Sequence, residues 1–162
     1  MRTTFVFFSF ILLFGCMGEA EERNNEKIVG KWKCEKFEIR NEFFEVYGVG
    51  IVHFNKSQRS EVLATYNYDF GEGDKIEIEL KLWGKWGFDK NGFWDMISNV
   101  EVKKIENNTL LGDAEVSNLL SNLVTLEQKV YSKIEFVSDN KFLWKKKGEP
   151  EDVVCVKAAS KQ

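Results

Sequence analysis

Proline and histidine each occur once in this 162-residue chain, and cysteine three times. One histidine and so few thiols cannot supply the three or four ligands of a zinc-type site. His53 stands alone within Ile51-Val52-His53-Phe54, and nothing places a serine and an acid beside it, so no Ser/His/Asp arrangement is expected. No glycine motif that cradles phosphate is present. Surplus positive charge is also missing. The net charge is −3 and well mixed along the chain, which argues against nucleic acid as a partner. Acidic residues are plentiful, but most alternate with lysines on exposed strand faces, so a carboxylate pair of the kind that hydrolyses glycosides is not expected. These absences describe a protein that is not an enzyme and carries no cofactor or metal.

Long apolar runs are missing as well, since a bilayer-spanning helix needs about 20 such residues. The one short run lies at the start. Met1-Arg2 is followed by apolar residues from Phe5 to Phe14, closing on Leu13-Phe14-Gly15-Cys16. One basic residue, a short apolar stretch and then small residues is the pattern of a secretion signal. Residues 1–15 are therefore expected to be a signal peptide. The closing stretch resembles the lipobox of bacterial lipoproteins. That resemblance implies cleavage before Cys16 and acylation of its thiol, anchoring the chain to the outer membrane on its periplasmic side. Gly18-Glu19-Ala20 offers a rival cut after Ala20, which would release a soluble secreted product. Residues 16–26 read as a polar tether.

What remains, about 147 residues, suits one domain with a real core. Cys34 and Cys155 lie near its two ends, and outside the cytoplasm two such thiols pair. Their bond would close a loop of roughly 120 residues, for which the chain-entropy account gives about 5 kcal/mol. It would also make the first and last strands neighbours.

Period-two alternation dominates the rest. From Lys75 to Leu82, Ile76, Ile78, Leu80 and Leu82 share one face, while Lys75, Glu77, Glu79 and Lys81 share the other. That is a strand with one wet side, able to continue through Trp86 and Phe88 and followed by an Asn91-Gly92 hairpin signal. Similar stretches are Ile28 to Ile39, Phe43 to Phe54 (interrupted at Gly48 and Gly50), Glu61 to Phe70, Phe93 to Ile105, Lys129 to Val137, Lys141 to Lys146 and Val153 to Lys157. Asp113 to Gln128 differs. Val116, Leu119, Leu120, Leu123 and Val124 follow helical spacing, with Asp113 as expected N-cap. The fold expected is all-β: an antiparallel up-and-down β-barrel of about eight strands with one short amphipathic helix, closed so that no sheet edge is left.

Ile28-Val29-Gly30-Lys31-Trp32-Lys33-Cys34 resembles the Gly-x-Trp opening of lipocalins, and more narrowly that of small bacterial lipocalin-like lipoproteins. The likeness covers residues 27–158. It implies that Gly30 bends the chain into the barrel, that Trp32 plugs the floor, and that Cys34 is matched by Cys155. The family's arginine on that tryptophan has no clear match; Lys157 could stand in. Trp83, Trp86, Phe88 and Trp94 cluster at one hairpin and are candidates to line a ligand pocket or its rim, Trp83 being the one whose parity points outward. The function expected is non-catalytic: an envelope lipoprotein that binds a small apolar or amphipathic molecule. The alternative is a structural or protein-interaction lipoprotein with a filled barrel. A monomer is expected.

Overall fold

The computed structural model describes residues 23–40, 45–146 and 152–159. The leader, Cys16 and the Ala20 site lie outside these residues. Residues 23–28 are helical (α1), so the tether ends in ordered structure. Eight strands follow: β1 (Gly30–Arg40), β2 (Glu45–Phe54), β3 (Arg59–Asp69), β4 (Lys75–Asp89), β5 (Gly92–Asn107), β6 (Val130–Ser138), β7 (Lys141–Lys146) and β8 (Val153–Lys157). Helix α2 (Asp113–Leu123) lies between β5 and β6. Each strand pairs antiparallel with the next, and β1 pairs with β8, closing the ring.

Local chemistry sets the turns. The Asn55 side-chain oxygen accepts the N–H of Ser57 (3.1 Å) and of Arg59 (2.9 Å) between β2 and β3. Asp69 does the same for Gly71 (3.0 Å) before β4, where Gly71 and Gly73 take positive φ. Between β4 and β5, Asp89 accepts the Asn91 N–H (2.8 Å) and pairs across to Gly92 at φ 112°. Such side-chain-to-backbone bonds are why Asn and Asp mark turns.

Three expected details differ. An edge is left after all, because beyond Ile97 strand β5 has no second strand among the described residues. β2 is unbroken through Gly48 and Gly50, because both glycines stay paired with β1 and β3. Helix α2 stops at Leu123, and its N-cap is Gly112 with no side-chain cap bond, Asp113 lying in the first turn.

The interior divides into two clusters. The floor holds Ile28, Trp32, Phe54, Trp86, Phe93 and Phe142, all with 1 % exposure or less. Their rings meet edge to face, Trp32 with Phe142 at 4.7 Å and Phe54 with Trp86 at 5.4 Å, the geometry aromatic quadrupoles favour. At the other end Ile76, Ile78, Leu80 and Leu82 of β4 pack with Val46, Tyr68 and Val116. Leu119, Leu120 and Val124 lie against this second cluster. The helix therefore covers the inner face at that end of the ring.

Candidate functional site

A cavity of about 160 Å³ lies between the two clusters. Its wall comes mainly from inward positions of β2, β3 and β4. Gly50 stands opposite Ala64, and Val52 opposite Val62. At this level Gly48, Gly50 and Ala64 place nothing larger than a methyl group into the lumen, while Val52, Val62 and Leu82 bound it. Missing side chains at consecutive inward positions are what leave the space. A methyl group at Gly50 would find its nearest neighbour, the Leu63 carbonyl oxygen, at 3.6 Å, so the position is roomy. Phe54 closes the cavity towards the floor and Trp144 borders it. Ser60 and Asp95 add the polar part of an otherwise apolar lining.

Gly84 borders the cavity for another reason. It follows a bulge where Ser98 has no partner on β4. A Cβ there would stand 2.4 Å from the Met96 carbonyl oxygen. Only glycine lets β5 approach that closely.

The four aromatic candidates separate. Trp83 borders the cavity but belongs to the outward parity of β4, with the Lys81 ammonium 5.0 Å from its ring. Trp86 is buried in the floor and its indole N–H donates to the Arg59 carbonyl at 3.0 Å. Phe88 packs on Phe93 at 5.3 Å and borders a shallow groove of about 620 Å³ outside the cavity. Trp94 lies across Gly87, where a Cβ would be 2.9 Å from the ring, and carries the Lys129 ammonium at 4.0 Å. Phe54, Tyr66 and Trp144 supply the other rings around the cavity. Sequence alternation could not single these out, because the space depends on small residues on the facing strands.

Gly30 has φ 141°. Trp32 is fully buried and donates its indole N–H to the Ile28 carbonyl at 2.7 Å. Lys157, paired with Trp32 across β1 and β8, holds its ammonium 5.4 Å from the ring. Cys34 and Cys155 stand directly opposite and are bonded, with Cα atoms 4.0 Å apart.

Titratable groups are perturbed mostly away from the cavity. Burial pushes the Tyr68 phenol up to about 12. On the outer face a hydrogen bond from Lys81 holds the Glu61 carboxyl below its ordinary range. His53, exposed and opposite Glu61 and Lys31, belongs to the same outer face. Among the described residues no cluster of His, Cys, Asp and Glu could hold a metal ion, and no helix is long and apolar enough to cross a membrane. The chain matches no protein-family model and no curated protein.

Proposed function

We propose that this chain is a non-catalytic, lipid-anchored envelope protein whose lipocalin-like barrel takes up a small apolar or amphipathic molecule. The observation that carries this reading is the apolar space walled by Gly48, Gly50 and Ala64 between two well-packed clusters. Its size bounds the guest. Drug-sized ligands occupy pockets of about 300 Å³ or more, whereas an engineered apolar cavity of about 150 Å³ takes benzene. The guest is therefore one ring or a short alkyl tail, with any polar head outside. The leader and Cys16 support export and acylation at the outer membrane, with soluble secretion following if the cut falls after Ala20. The positive φ of Gly30, the buried Trp32 and the bond between Cys34 and Cys155 support kinship with lipocalin-like lipoproteins.

Native mass spectrometry of the protein purified from its own cells tests the reading. A copurified apolar molecule and a diacylglycerol mass on Cys16 are expected. A clean apo mass from a chain able to exchange ligands would favour the alternative, an envelope protein acting through its surface. The edge of β5 that has no second strand among the described residues is the feature that favours that alternative.

A further inference from the structure

Strand β5 is paired on both sides for only part of its length. It follows β4 from end to end but meets β6 only at Phe93, Trp94 and Asp95. Ile97 then makes one parallel bridge to Leu126, and its carbonyl accepts the Glu127 N–H at 2.8 Å. Beyond that point residues 98–107 have no strand on their second side among the described residues. All of them except Val100 are exposed. An open edge of this length presents a row of backbone donors and acceptors to another strand.

The faces of this edge say which strand fits. Val100, Val102 and Ile105 stand opposite Leu82, Leu80 and Ile78, so they share the inner face. Asn99, Glu101, Lys104 and Glu106 stand opposite Trp83, Lys81, Glu79 and Glu77, so they share the outer face. Lys103 has no partner on β4; it is the extra residue of a bulge. The bulge shifts the alternation by one, and this makes the edge symmetric about its own centre. Reversed and laid against itself, Val100 meets Ile105 on the inner face, while Glu101 meets Lys104 and Asn99 meets Glu106 on the outer face. Residues sharing a face also turn their N–H and C=O groups the same way, so matched faces bring matched hydrogen-bonding directions.

We propose that residues 98–107 form a homodimer interface, β5 pairing antiparallel with β5 of a second copy about a two-fold axis. Each apolar and each charged pair then occurs twice, as an isologous contact requires. The two bulges meet at the centre, Val102 against Lys103. The register is unique. Sliding one residue either way sets inner residues against outer ones. Sliding by two sets Glu101 against Glu106 in one direction and against Val102 in the other. Along each chain the four edge charges already pair, Glu101 with Lys103 at 2.6 Å and Lys104 with Glu106 at 2.7 Å. In the dimer Glu101 and Lys104 also face each other across the axis, a match that foreign strands lack, which is how specificity against other partners arises. Inner-face Val102 and Ile105, 44 % and 42 % exposed in the single chain, become a continuous apolar stripe with their counterparts. The pairing replaces the monomer expected from the sequence and rests on the edge alone, whatever the cavity holds.

Disulfide trapping in whole cells tests it with the full chain. Asn99→Cys combined with Glu106→Cys places new thiols directly opposite across the two-fold axis, within the reach of cross-strand neighbours. A covalent dimer is expected on non-reducing gels. Asn99→Cys with Lys104→Cys uses two outer-face residues that do not face each other and is expected to stay monomeric. Adding Lys104→Glu to the first pair sets glutamates against Glu101 and should cut the dimer yield severalfold. Adding Glu101→Lys as well should restore it. Failure of the first pair to cross-link, equal yield from the second, indifference to Lys104→Glu or failure of the restoring swap would each overturn the proposal.

Discussion

At the residue scale two of the cavity-side glycines, Gly50 and Gly84, make opposite demands. A Cβ on Gly50 meets only ordinary contacts, whereas one on Gly84 collides with the Met96 carbonyl oxygen. Gly50→Ala is expected to raise stability by about 0.5 kcal/mol, since alanine restricts the unfolded chain where the native backbone already suits it. Gly84→Ala is expected to cost about 1–3 kcal/mol through forced backbone shifts. Urea midpoints of the two variants check both signs. Tyr68 gives a second residue-scale test. Its phenol pKa is raised in the folded state, from an ordinary 10.0 to about 12. The stability it contributes is therefore complete below pH 10 and is lost as the pH rises from about 10 to about 12. Tyr68→Phe should flatten the stability profile in that window relative to the unsubstituted protein. Neither the Gly84 collision nor the Tyr68 burial is legible from neighbours in sequence, because each depends on a strand brought alongside by the sheet. The pairing of Cys34 with Cys155 was legible, because the two thiols lie near the two ends of the domain.

Strand parity at the element scale is carried by the chain itself. Lys75 to Leu82 alternates without a fault and forms the expected half-wet strand. What alternation could not convey is how far two strands stay together. β4 and β5 run longer than β6, β7 and β8, and this inequality leaves part of β5 without a second partner strand among the described residues. It also explains why the helix sits where it does. Val116, Leu119, Leu120 and Val124 cover the inner face of long strands that the short ones do not reach. The core therefore has two parts, and they should loosen separately. Val116→Ser is expected to weaken the helix-side cluster by about 1–2 kcal/mol, as loss of buried apolar groups does. Hydrogen exchange should accelerate at Ile76 and Ile78 and stay slow at Phe142 and Cys155. Uniform acceleration across both groups would mean a single undivided core.

On the scale of the whole molecule, ring closure and the hollow middle belong together. The Cys34–Cys155 bond spans 121 residues of sequence and joins the first strand to the last. Converting both cysteines to alanine is expected to lower stability by about 2–5 kcal/mol. The ring itself should still close, because β1 and β8 remain backbone-paired and Trp32 remains packed on Phe142. A closed ring of eight strands leaves room for little beyond side chains or one small ligand. Here three small inward residues tip that balance towards a space, a result of facing strands that no single stretch of the chain announces. The most direct test of this account is calorimetric titration of the purified, disulfide-bonded protein with benzene-sized apolar compounds, beside the variant Ala64→Leu. Saturable one-to-one binding is predicted for the unsubstituted chain, and its loss is predicted for the equally folded variant with the space filled. No binding to the unsubstituted chain, or undiminished binding after filling, would contradict the account.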